Sequence, residues 1–249
     1  MQVDLAKFPS VFPLLEELAV MTSYGRRASR DSDISEGPIV LDMLIKLRLG
    51  FLAQDPFPLS CITTPSLKYL AVNEAFGERP SCRERMDLSF EYDILRFLER
   101  SKAPIETFSF ASRTQSGLAL GPMLRELPGL VALEVEHNPI HPTAMEALKD
   151  PLVCPSLLSI YNKNTFNDKD TDPPSKESIL ELIATRCRKR RKTTDDGGHE
   201  RVYVKEIALS VGKNVGPQLR KNKIFKEAEL VWNNTLLSSS NPRKSLRNL

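Results

Sequence analysis

Apolar side chains along this chain recur in a phrase rather than at one fixed period. An apolar residue is followed by two positions, a second apolar residue, one position and a third. PLLEELAV places Leu15, Leu18 and Val20, PSLKYLAV places Leu67, Leu70 and Val72, and PGLVALEV places Leu130, Leu133 and Val135. PSLLSIYN has Leu157 and Ile160 but ends in polar Asn162. Weaker copies are MLIKLRLG (Leu44, Leu47, Leu49), PIETFSF (Ile105, Phe108, Phe110) and YVKEIALS (Val204, Ile207, Leu209). In an extended segment alternate side chains face the same way. The second and third apolar positions therefore point together into a core, and the first lies at the turn into the strand. A proline ahead of the phrase fixes φ and stops a preceding helix from running on.

The first apolar positions are 15, 44, 67, 105, 130, 157 and 204, giving intervals of 29, 23, 38, 25, 27 and 47 residues. The segments between carry helical spacing. Leu88, Tyr92, Leu95 and Leu98 mark a helix over 88–101, and Leu120, Met123, Leu124 and Leu127 another within 116–127. Pro142-Thr143 opens a short amphipathic segment with Met145 and Leu148. Ser175 or Ser178 is positioned to cap a helix holding Ile179, Leu182 and Ile183, with Glu177 and Glu181 near its start. Strand alternating with helix predicts an α/β fold with a parallel sheet. A unit of ~20–29 residues is the length of a leucine-rich repeat, and the two longest intervals leave room for insertions. The competing architecture is a doubly wound α/β enzyme. Strands of about three to five residues are short for its central sheet, and the glycine-rich turn after its first strand is missing. The expected fold is an irregular leucine-rich-repeat solenoid over 1–236, with short parallel strands on the concave side and helices or loops on the convex side. Insert loops are expected at about 22–38, 162–176 and 190–200, and a disordered tail at 237–249.

If the phrases are strands, the alternate positions face outward. They are Glu17 and Ala19, Lys46 and Arg48, Tyr69 and Ala71, Thr107 and Ser109, Ala132 and Glu134, Ser159 and Tyr161, and Glu206 and Ala208. The charged, hydroxyl and tyrosine members form a candidate protein-binding face, since tyrosine supplies rigid amphipathic area at interfaces.

The phrases FPLLEELAV, TTPSLKYLAV, FLERSKAPIETFSF, LPGLVALEVE and ESILELIATRCRK resemble the C-terminal leucine-rich region of F-box-like proteins, numerous in mushroom-forming fungi. The likeness runs from about residue 8 to about residue 232. In that family an F-box helix bundle docks on the Skp1 adaptor of a ubiquitin ligase, and the repeats recruit a substrate. No F-box is recognisable ahead of the first phrase. The resemblance therefore implies the substrate-recruiting half, with a Skp1-type adaptor as partner only if an F-box is supplied elsewhere.

Composition changes this picture little. In 249 residues, 41% are hydrophobic and 27% charged, which suits a globular domain. A net charge of +3 is too small for a nucleic-acid footprint over the whole surface. Cys61, Cys82, Cys154 and Cys187 form no CxxC pair and read as free thiols of a reducing compartment, cytosol or nucleus. No run approaches the ~20 apolar residues that cross a bilayer. Local charge is concentrated in RCRKRRK, where Arg186, Arg188, Lys189, Arg190, Arg191 and Lys192 form a candidate nuclear-import or anion-binding run. Its plainer reading is a cationic helix end followed by a solvated loop.

Candidate chemistry is sparse. Asp168, Asp170 and Asp172 alternate, but a calcium loop counted from Asp168 meets Pro173 where glycine belongs and Ile179 where a carboxylate belongs. His137 and His141 lie four apart, yet Pro139 and Pro142 argue against a helix that would bring them together. No GxSxG elbow or GxxxxGK[ST] phosphate loop is present. Nothing flanks Cys154 that would lower its pKa. The expectation is a non-catalytic recognition module with no cofactor or metal and a protein partner. Its alternatives are an interaction scaffold or truncated receptor with no ubiquitin link and, further off, a small α/β enzyme with an unrecognised site.

Overall fold

The computed structural model describes residues 12–22, 38–51, 59–74, 89–111, 119–136, 140–163, 174–187, 204, 206–209, 218–219 and 221–224. Nine strands are described: β1 (Glu17–Thr22), β2 (Ile39–Val40), β3 (Lys46–Phe51), β4 (Ile62–Thr63), β5 (Tyr69–Glu74), β6 (Thr107–Ala111), β7 (Ala132–Glu136), β8 (Ser159–Lys163) and β9 (Glu206–Leu209). Four helices lie among them: α1 (Ser89–Ser101), α2 (Leu120–Arg125), α3 (Pro142–Lys149) and α4 (Lys176–Arg186). The fold is α/β. Seven strands form one sheet in the order β1-β3-β5-β6-β7-β8-β9, every pair parallel, and β2 pairs with β4 beside it.

The seven phrases are the seven strands of this sheet. Glu17 pairs with Lys46, Lys46 with Tyr69, Tyr69 with Thr107, Thr107 with Ala132, Ala132 with Ser159 and Ser159 with Glu206. The unequal sequence intervals thus collapse into one register. A repeated turn sets it. Leu15, Leu67, Leu130 and Leu157 each donate their N–H to the carbonyl three residues back, on Phe12, Thr64, Leu127 and Cys154. Pro13, Pro65, Pro128 and Pro155 occupy the second position of those turns, where a φ near −65° is already in place. The proline of the phrase therefore builds the turn itself as well as ending what precedes it.

Inward side chains stack along the sheet in rows. Leu47, Leu70, Phe108, Leu133 and Ile160 are all buried to 1% exposure or less. The row beside it runs through Leu49, Val72, Phe110, Val135, Asn162 and Leu209. Asn162, where the apolar phrase fails, is nonetheless buried, and its Nδ2 donates to the Val135 carbonyl at 3.1 Å. At β1 the inward Leu18 and Val20 are only partly buried, because no further strand flanks them among the described residues.

The helices close this inward face in chain order, α1 against α2, α2 against α3, α3 against α4. The buried stripe of α1 is Glu91, Ile94, Phe97, Leu98 and Ser101, whereas Tyr92, expected in it, is 55% exposed. Glu91 reaches across to accept from the Ala119 N–H at the start of α2, which lacks a side-chain cap of its own. Gly121 lets α2 and α3 approach closely, since a Cβ there would stand 2.8 Å from the Thr143 carbonyl oxygen. Ser175, the nearer of the two expected caps, accepts from Ser178 N–H at the start of α4. The expected insert at 162–176 is shorter at both ends, since Asn162 and Lys163 finish β8 and Lys176 begins α4. Likewise Thr22 belongs to β1. The expected insert at 190–200 and the tail at 237–249 lie outside the described residues.

Arg186 corrects one expectation. Placed by sequence in an exposed basic run, it is buried at 6% exposure. Its Nε donates to the Leu148 carbonyl at 2.6 Å, and its terminal nitrogens donate to the carbonyls of Asp150, Val153 and Cys154. The end of α3 and the turn after it leave these carbonyls pointing inward, and a planar guanidinium meets several at once. Arg100 does the same in α1, donating to Leu59 and Ile62 carbonyls. Burial lowers the pKa of Arg186.

Two stability measurements check this packing by urea unfolding. Leu133→Ala, at a fully buried site, should cost ~2–5 kcal/mol, and Leu18→Ala on half-buried β1 clearly less; equal losses would contradict the graded core. Arg186→Ala should cost about 3 kcal/mol or more, because several buried carbonyls lose their donor together. Arg186→Lys should recover only part, since an ammonium lacks the fork.

Candidate functional site

The outward face of the sheet is formed by the residues that alternate with the core rows. One row runs Glu17, Lys46, Tyr69, Thr107, Ala132, Ser159 and Glu206. The next runs Ala19, Arg48, Ala71, Ser109, Glu134, Tyr161 and Ala208. Every residue proposed for the binding face therefore lies in one of two adjacent rows. Exposure varies along them. Glu17, Arg48 and Glu206 are exposed, while Lys46, Tyr69, Thr107, Ser109, Glu134, Ser159 and Tyr161 are half-buried. Ala208 in the second row is buried, and the other members named are half-buried or exposed.

Charge is not mixed evenly over it. The β3 end is basic. Lys46 Nζ lies 3.6 Å from Glu17 Oε1 and 5.3 Å from the centre of the Tyr69 ring. Arg48 Cζ lies 5.7 Å from the same ring, so both cations are within reach of its negative π face. The β7 end is acidic, with Glu134 in the second row and Glu136 in a third row. Tyr161 is paired with Glu134 in register, and Lys163 takes the register position beside Glu136. Between β3 and β7 lie small side chains, Ala71, Thr107 and Ser109.

The tyrosines report this polarity. Burial raises the pKa of the Tyr69 phenol, Glu134 adds to the rise, and the charge and hydrogen bond of Arg48 oppose it. Tyr69 thus feels both ends of the face. Burial also raises Tyr161, followed by Glu136 and Glu134. Glu134 is held above the ordinary carboxylate range, first by burial and then by Glu136, against a hydrogen bond from Ser109 that lowers it. The individual residues were legible as outward-facing, but this gradient was not. It depends on which strand stands beside which, and only the register supplies that.

Other candidate chemistry resolves into structure. His141 Nδ1 accepts from the Thr143 N–H at 3.3 Å and so caps α3, with Pro142 in its first turn. His137 lies outside the described residues. Burial pushes the Cys154 and Cys187 thiols up to about 12, with Arg186 pulling the other way. Thiols so protonated near neutral pH are poor nucleophiles. Of the basic run, Arg186 is committed to backbone carbonyls, and Arg188, Lys189, Arg190, Arg191 and Lys192 lie outside the described residues. The described residues hold no group of three or more His, Cys, Asp or Glu able to bind a metal, and no helix long and apolar enough to cross a membrane.

Glu134 yields a pH test. A carboxyl whose folded pKa exceeds its unfolded one contributes stability that is present below the unfolded pKa and is lost as pH rises through the folded pKa. Glu134→Gln removes that loss and keeps a partner for Ser109. The variant should melt higher than the parent at pH 7, and the gap should close below about pH 4, under the ordinary glutamate pKa. Thermal melts of both proteins at the two pH values decide it, and a parent that is more stable at pH 7 contradicts it. No protein-family model, curated protein or solved structure matches the chain.

Proposed function

We propose that the chain is a non-catalytic protein-recognition module of leucine-rich-repeat type, whose open sheet face receives a protein partner. One observation carries this reading: seven parallel strands in one register present an outward face with a tyrosine beside its basic group and another beside its acidic group. A helix is about 10 Å wide and neighbouring strands are about 4.8 Å apart. Helices layered on one side therefore favour bending the sheet with its strands inside, which makes the open face the concave side of an irregular solenoid. The phrases similar to those of F-box-like proteins favour a substrate-recruiting role in a ubiquitin ligase. Cys61, Cys154 and Cys187 are free thiols, which fits the cytosol or nucleus.

Affinity purification with mass spectrometry tests it, comparing the tagged chain with a Tyr69→Ser/Tyr161→Ser variant in cells that express it. Specific proteins should be recovered with the parent and reduced at least tenfold with the variant, consistent with aromatic anchors worth ~2 kcal/mol or more. Proteins recovered equally with both would place binding elsewhere and sink the reading. Skp1 and cullin among the recovered proteins support the ligase role. Their absence, with other face-dependent partners retained, removes the ubiquitin link and leaves recognition as a scaffold.

A further inference from the structure

The open face distinguishes its two ends by charge, and that property narrows the partner. Arg48 on β3 is exposed, and among the described residues no carboxylate lies within ion-pair distance of it. Lys46 stands beside it with the Glu17 carboxylate at 3.6 Å. On β7, Glu134 is half-buried between Ser109 and Tyr161 in the register. Lys163 occupies the position beside Glu136, so Glu134 carries the argument for the acidic end. From β3 to β7 there are three strand spacings, about 14 Å at ~4.8 Å each. The Debye length at physiological ionic strength is about 8 Å. The separation exceeds that length, so each end can meet a different residue of a ligand.

Resting on the recognition reading above, we infer that this face takes an extended segment of a protein partner that crosses the strands, with an acidic residue over Lys46 and Arg48 and a basic residue over Glu134. At ~3.3 Å per residue, about four residues of extended chain span the distance. Ala71 and Ser109, between Arg48 and Glu134 in one row, keep the floor low, so a backbone can lie across it. Tyr69 flanks the basic end and Tyr161 the acidic end, each offering an aromatic wall to a side chain of the segment. A uniformly acidic ligand such as a nucleic acid would bring negative charge against Glu134. A uniformly basic one would meet Lys46 and Arg48. The face disfavours both.

Selection from a phage-displayed library of random 12-residue peptides on the full chain tests this. Enriched peptides, resynthesised and measured by fluorescence polarisation, should carry an acidic and a basic residue about four positions apart. Arg48→Glu or Glu134→Lys should weaken them at least tenfold. Reversing the matching peptide charge, acidic to Lys for Arg48→Glu or basic to Glu for Glu134→Lys, should restore most of that loss. Rescue requires a folded variant, and Glu134→Gln supplies a milder check with an expected loss of several-fold. Peptides that need Tyr69 and Tyr161 but ignore both charge reversals overturn this inference and leave the recognition reading intact. Enrichment of single-sign peptides, equal binding of a single-stranded oligonucleotide, or no peptide dependent on this face also overturns it. The recognition reading is judged separately by the cellular proteins that depend on the two tyrosines.

Discussion

The carbonyl just before each strand holds the next strand in place. Glu16 oxygen accepts the N–H groups of both Ile45 and Lys46, Ile45 oxygen those of Lys68 and Tyr69, and Lys68 oxygen those of Glu106 and Thr107. Glu106 and Val131 repeat the arrangement toward β7 and β8. A carbonyl has two lone pairs, and here one oxygen uses both on consecutive donors of the neighbouring chain. The contact leaves no freedom to slip by a residue. Such a slip would turn every side chain of a strand to the opposite face, exposing the Leu47–Ile160 row and burying Arg48 and Glu134. Intervals of 23 to 47 residues between successive phrases are tolerated because the connections within them do not set the register.

What the connections must do is satisfy their own backbone. A layer of short helices joined by turns brings many helix ends into the interior, and each end leaves carbonyls or N–H groups without intrahelical partners. The chain answers with polar side chains sent inward from a neighbouring element. Arg186 serves the carbonyls after α3, Arg100 those around β4, Glu91 the start of α2, and Ser101 Oγ the N–H of Thr64. These long side chains tie neighbouring units together more specifically than apolar contact does, because each matches a particular set of carbonyl or amide positions.

The same division explains what could be read from sequence. The strands themselves were legible because the apolar phrase, with a turn proline ahead of four of its copies, is local and recurs along the chain. The outward residues followed from alternation alone. The arginine contacts were not legible, because nothing near Arg186 in sequence says that the carbonyls of residues 148–154 end beside it, more than thirty positions away. A run of basic residues reads as surface, and its first member is interior. Asn162 was visible as a break in the apolar pattern, yet its meaning needs Val135 on the adjacent strand. Tyr92 misled for a related reason. Helical spacing alone admits more than one stripe, and Ile94 and Phe97 fill the inward one.

On the proposed reading, burial on the open face bears on how a partner is chosen. Glu134 keeps a carboxylate where burial works against its charge, and a small neutral side chain there would avoid that opposition. Lys46 and Arg48 both crowd one aromatic ring, which orders two flexible side chains at an entropic cost. Neither feature serves the core, which is complete on the other face. Lys46 and Glu134 thereby present charge partly stripped of water, and the Tyr69 ring orients Lys46 and Arg48. A ligand group meeting it loses less to desolvation and ordering than it would over a fully solvated face. Preorganised charge of this kind separates partners chiefly by what it rejects, since a group of the wrong sign meets a desolvated like charge that solvent screens poorly. The geometry that fixes the register also fixes the spacing between the two ends, so the selectivity proposed for the face rests on the backbone as much as on its side chains.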